Sequence, residues 1–126
     1  MKKILYPAIL ASLIMSCGEI PEETETTEEP VVECGLSETV SYKTDVVPIL
    51  EANCYSCHNE EDYGHKADGH KLYTYESIKE EADEGDLVGS ILHQKGYIGM
   101  PYRKEKIDTC DLAVIIKWVE QGAPNN

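Results

Sequence analysis

Cys54, Cys57 and His58 stand in the order C-x-x-C-H, within Cys54-Tyr55-Ser56-Cys57-His58. Two thiols three residues apart reach the two vinyl groups on one edge of a porphyrin and form thioethers with them. A histidine that follows at once is placed beneath the iron. The spacing therefore predicts one covalently attached haem c, held by Cys54 and Cys57, with His58 as its proximal iron ligand. Covalent attachment also keeps the cofactor in a domain too small to wrap it fully. Two rivals share a C-x-x-C. A dithiol redox pair of the thioredoxin kind needs a βαβ setting, and nothing in this chain reads as a strand. A zinc site needs a second pair of ligands, and Cys34 and Cys110 have no ligand neighbour at the usual short spacing.

A distal ligand is the next requirement. Met100 lies in Gly99-Met100-Pro101, and the only other methionines are Met1 and Met15 in the first stretch of the chain. A thioether opposite a haem histidine raises the reduction potential. Met100 is thus the expected distal iron ligand, against the alternative of a methionine that fills a core. His65, His70 and His93 compete for the same position, as does an open, five-coordinate iron.

Five cysteines are present. With Cys54 and Cys57 given to haem, Cys34 and Cys110 are expected to pair as a disulfide in an oxidising compartment, the alternative being two buried free thiols. Cys17 follows Ile14-Met15-Ser16, which resembles a bacterial lipobox, and is the expected lipidation site. Ahead of it, Lys2 and Lys3 precede an apolar run from Ile4 to Met15 that is too short to cross a bilayer, so residues 1–16 read as a lipoprotein signal peptide. Several acyl chains on Cys17 would anchor the exported protein firmly to a membrane.

The elements that must position these groups fall in residues 34–126, expected to form a single small domain. Residues 17–33 comprise the lipidated cysteine and an acidic linker, nearly devoid of apolar residues, that cannot offset its own ordering entropy. The domain has no Phe and one Trp, thin material for a core, which itself argues for a cofactor or a staple. Its pattern predicts an all-α fold. Thr44-Asp45 caps a helix through Val46, Ile49 and Leu50 to Asn53, with Pro48 tolerated in its first turn. Thr74 caps a second helix over Tyr75 to Asp83, stopped by Gly85. Asp86 caps a third that ends at Gly96. The last helix carries Leu112, Ile115, Ile116 and Val119 at helical spacing, with Gly122 as its C-terminal cap. Residues 59–73 and 96–108 read as loops.

From Val40 to Ala123 the sequence resembles the monohaem cytochrome c domains called planctomycete-type, also found in exported Bacteroidetes lipoproteins. Asp45-Val46-Val47-Pro48-Ile49-Leu50 leads into Asn53 and the C-x-x-C-H. There follow Gly69 and Leu72, Tyr75-Glu76-Ser77, Leu87 to Leu92 with His93, Met100-Pro101, and Ile115 to Trp118 with Gly122-Ala123. Tyr102 stands where the family often has a second proline, and Asp68-Gly69 where it has Gly-Gly. The resemblance implies a small cytochrome c fold, about four helices around one haem, with His58 and Met100 as axial ligands.

The chain has a net charge of −13; without Lys2 and Lys3 it keeps 9 basic and 24 acidic residues, a net −15. Such a charge argues against a nucleic-acid partner. It suits either a partner that docks through basic groups or solubility alone. The expected function is one-electron transfer between exported redox proteins on the periplasmic side or cell surface. An electron carrier is expected, not an enzyme. The alternative is a haem peroxidase or gas sensor with a displaceable distal ligand, for which Arg103, the only arginine, lies beside the Met100 loop. A third possibility is a binding module in which haem serves only as a structural core.

Overall fold

The computed structural model describes residues 33–126. The expected signal peptide, Cys17 and nearly all of the acidic linker lie outside the described residues. What is described is all-α: a π-helical turn, Tyr42–Val46, followed by α1 (Val47–Asn53), α2 (Tyr55–His58), α3 (Tyr63–Lys66), α4 (Tyr75–Glu84), α5 (Asp86–Ile91) and α6 (Thr109–Glu120). There is no strand among the described residues, and no helix there is long and apolar enough to cross a membrane. The six α-helical segments exceed the expected four because α2 and α3 are single turns that periodicity cannot register.

The first helix starts earlier than its pattern predicts. Ser41, not Thr44-Asp45, is the cap: its hydroxyl accepts the Thr44 N–H (3.4 Å), and the Asp45 carboxylate accepts the Ser41 N–H (2.7 Å). That reciprocal pairing satisfies amides at the start of the helix that would otherwise have no partner. The Val46 N–H then reaches back five residues to the Ser41 oxygen at 3.2 Å. The widened turn sits where the ring of Pro48 would otherwise press on the carbonyl four residues before it.

α4 is capped as expected, with the Thr74 hydroxyl accepting the Ser77 N–H at 3.2 Å, and Gly85 in the left-handed region (φ 86°) ends it. Gly85 is also the N-cap of α5, so Asp86 is the first helical residue rather than the cap. α5 stops at Ile91, well before Gly96. Its end is a Schellman motif: the Gln94 N–H bonds to the Gly89 oxygen (2.9 Å) and the His93 N–H to the Ser90 oxygen (3.1 Å). His93 itself takes the left-handed position at φ 53°, which glycine usually fills.

Asp108 caps α6, its carboxylate accepting the Cys110 N–H at 2.8 Å. It ends as its sequence predicts. The Gly122 N–H bonds to the Val119 oxygen and the Ala123 N–H to the Trp118 oxygen, both at 2.9 Å, with Gly122 at φ 86°. This second Schellman motif buries Ala123 against the core.

Trp118 is the centre of that core. It is fully buried, its ring stacks on Tyr42 at 5.4 Å between centroids, and Tyr42 meets Tyr75 edge-on at 5.2 Å. The indole N–H donates to the Pro124 oxygen and the Tyr75 hydroxyl to the Ala123 oxygen, each at 2.9 Å, so neither polar tip is left unpaired. Leu50, Ile78 and Ile115 complete the centre.

The segment before the first helix is lashed to α6. The Val40 N–H donates to the Gln121 side chain (3.1 Å), and Lys117 donates to the Ser37 oxygen (2.6 Å). Cys34 and Cys110 sit at disulfide distance with Cα atoms 5.2 Å apart.

Candidate functional site

The C-x-x-C-H begins at a break in the helix. Cys54 ends α1, its N–H bonded to the Leu50 oxygen at 2.8 Å, while its own carbonyl opens α2 by accepting the Cys57 and His58 N–H groups at 3.1 and 3.0 Å. Residues three and four apart share one helix face. One helical turn therefore puts Cys54, Cys57 and His58 on the same side, which is the geometric content of the motif. The two cysteines are half-buried and not bonded to one another. Burial pushes the Cys54 thiol up to about 11, so it is protonated at neutral pH.

His58 is the one buried polar or charged residue among the described residues. Its Nδ1 lies 2.9 Å from the carbonyl oxygen of His70. A carbonyl only accepts, so Nδ1 carries a proton, and in the neutral tautomer that makes this bond Nε2 keeps its lone pair. The contact is braced from the other side, since the Leu72 N–H donates to the His58 oxygen at 3.2 Å. A hydrogen bond from one ring nitrogen to a backbone carbonyl is the usual way a metal-binding histidine is oriented.

Cys54, Cys57, His58 and Met100 all line one cavity of about 590 Å³. That is within the range of about 300–1,000 Å³ typical of cofactor and ligand pockets. Leu72, Leu87, Ile91 and Ile107 give it apolar walls suited to the faces of a macrocycle. The Met100 loop closes another side, and carries three of the four large exposed hydrophobic residues among the described residues: Tyr97, Ile98 and Tyr102. Between α5 and α6 the chain also carries Lys95, Arg103, Lys104 and Lys106 against two acids, Glu105 and Asp108, a mildly basic stretch on an acidic chain.

Met100 is held through its backbone. Its N–H donates to the Ser90 oxygen and its carbonyl accepts from His93 Nε2, both at 3.0 Å. His93 does not line the cavity. His65 is on the surface, 3.2 Å from Asp62. His70 reaches the cavity wall, and its ring Nδ1 pairs with Glu81 at 2.7 Å; hydrogen bonding to that carboxylate raises the His70 pKa. Each of the three competing histidines thus has another partner for a ring nitrogen.

No group of three or more His, Cys, Asp or Glu side chains converges on a metal position among the described residues. A c-type haem asks for a different set, two thiols, a histidine and one further donor, and residues of those types, Cys54, Cys57, His58 and Met100, line the same cavity. The four side chains are legible in the sequence, but two backbone carbonyls are not: that of His70, which meets the His58 ring, and that of Ser90, which holds the Met100 backbone. A backbone oxygen leaves no trace in residue type. Of the polar supports, only His93 was visible, as a histidine seven residues before Met100.

Comparison of the chain with models of protein families, with curated proteins and with solved structures finds no match.

Proposed function

We propose that this protein is an exported, monohaem c-type cytochrome that carries single electrons. Cys54 and Cys57 would hold the haem through thioethers, and His58 Nε2 and the Met100 thioether would be the protein ligands of its iron. The fold is then a small cytochrome c fold. When bound, the haem supplies a one-electron iron couple. The chain's own residues fix its coordination and exclude water from its faces.

One observation carries the reading. The hydrogen bond from His58 Nδ1 to the His70 carbonyl leaves Nε2 as a free donor in a cavity that both C-x-x-C thiols and Met100 also line. Outer-sphere transfer favours an iron whose coordination does not change on reduction, and two protein ligands meet that demand. The exposed tyrosines and isoleucine of the Met100 loop stand beside the same cavity, where a redox partner would approach the haem. In this reading, residues 1–16 direct export, and a lipid on Cys17 tethers the domain to a membrane on the periplasmic side or at the cell surface. Donor and acceptor are other exported redox proteins, and nucleic acid is not a partner.

The test is spectroscopic. The exported protein should show sharp c-type bands on reduction and a weak far-red band when oxidised. Met100→Ala should abolish the far-red band. Ferrous protein at neutral pH should be formed rapidly by small reductants and should not bind carbon monoxide. Ready carbon monoxide binding by the wild type would overturn electron transfer and favour catalysis or gas sensing.

A further inference from the structure

His93 occupies a position that costs it something. It is the left-handed residue of the Schellman motif ending α5, at φ 53°, where glycine is the usual choice and a side chain is strained. Its ring is nonetheless engaged. Nε2 lies 3.0 Å from the Met100 carbonyl oxygen, and because a carbonyl only accepts, Nε2 carries the proton. The same ring lies flat enough on Gly99 that a Cβ there would come within 3.1 Å of two of its carbons. The backbone repeats the connection: the Ser90 carbonyl accepts both the His93 N–H (3.1 Å) and the Met100 N–H (3.0 Å). The loop from His93 to Met100 is therefore closed on itself twice, once by Ser90 and once by the His93 ring.

We infer that His93 is a positioning residue for Met100: a latch that holds the methionine's backbone so that its thioether stays on the iron. The inference rests on the reading that Met100 is the distal ligand. A residue kept only for the helix end would be glycine there, free of strain and without a ring. The latch acts through the Met100 carbonyl and touches neither haem nor iron. Removing it frees the loop to swing away, and the distal position becomes open to small ligands.

The experiment uses the exported holoprotein and imidazole as the probe. Imidazole competes with Met100 for ferric iron, and its binding is followed by loss of the far-red band. Four proteins are compared: wild type, His93→Gly, His93→Gln and Met100→Ala. His93→Gly removes the ring and relieves the backbone strain, so its unfolding midpoint should be unchanged or higher. Its affinity for imidazole should nevertheless rise roughly fivefold, the fold-change expected for one hydrogen bond of about 1 kcal/mol. His93→Gln keeps an N–H donor and should recover part of the wild-type resistance. Equal imidazole affinity in wild type and His93→Gly, with Met100→Ala binding far more tightly, overturns the latch and leaves Met100 ligation intact. Equal weakening by His93→Gly and His93→Gln also overturns it, because the donor is then irrelevant. A wild type that lacks the far-red band and binds imidazole as Met100→Ala does removes Met100 from the iron, and the latch falls with it.

Discussion

The Nδ1–H of His58 meets the carbonyl oxygen of His70 at 2.9 Å, so backbone twelve residues downstream decides which nitrogen of the candidate proximal ligand is free. The acceptor is main chain, which separates the role of residue 70's carbonyl from that of its ring. His70→Ala should therefore keep the c-type spectrum and full haem content, measured on the purified exported protein. Loss of haem in that variant would show that the ring is what matters.

The ring of His70 has a separate effect, on stability. Hydrogen bonding to Glu81 raises its pKa, so the folded state holds the imidazolium proton more tightly than the unfolded chain does. The stabilisation is complete below the unfolded value of about 6.5 and is lost as pH rises through the higher folded value. The difference in unfolding midpoint between wild type and His70→Ala should be largest near pH 5.5 and fade above neutrality. The pair is half-exposed, so the effect should be small and should shrink with added salt. A difference that grows with pH would contradict the assignment.

Cys34 and Cys110, 76 residues apart in sequence, staple the start of the described chain to α6. Replacing both by Ser should lower stability by up to about 4.5 kcal/mol in the chain-entropy model. The spectrum should not change, because neither sulfur lines the cavity. Denaturant unfolding with and without reductant checks the first point, and an altered haem spectrum would refute the second.

Gly89 is buried on α5, and a Cβ there would meet the Tyr97 ring at 2.6 Å. Gly89→Ala should cost about 1–3 kcal/mol as an overpacked site. The added Tyr97→Ala should recover part of that loss, giving a coupling of at least about 0.5 kcal/mol in a double-mutant cycle. Additive losses would mean that the ring does not rest on α5.

Gly122 at φ 86° closes the Schellman motif that docks Ala123 beside Trp118. Gly122→Ala should cost about 1 kcal/mol from the left-handed backbone alone, while Gly122→Asn should cost less. Equal costs would point to a steric cause instead.

The sequence carried most strongly where chemistry depends on side-chain type at fixed spacing. The C-x-x-C-H and the lone downstream methionine meet in one cavity, and Cys34 meets Cys110. The end of α6 was readable because Gly122 occupies the position its periodicity marks. Legibility failed where the backbone acts. The start at Ser41 was hidden because Thr44-Asp45 is an equally good capping pair, and Asp45 serves the cap from inside the helix. The sequence pattern carries α5 on to Gly96 because a histidine occupies the left-handed position that glycine usually marks. Tyr97, Ile98 and Tyr102 are visible as residues of the Met100 loop, but their meeting at the cavity requires the fold.

The most direct test of the central claim is the intact mass of the protein after export from a host that matures c-type cytochromes. The account predicts an increment of one haem that survives denaturation and acid extraction, and that is lost in the Cys54→Ser, Cys57→Ser double variant. A wild-type chain with no such increment, folded and with both thiols open to alkylation, would contradict it.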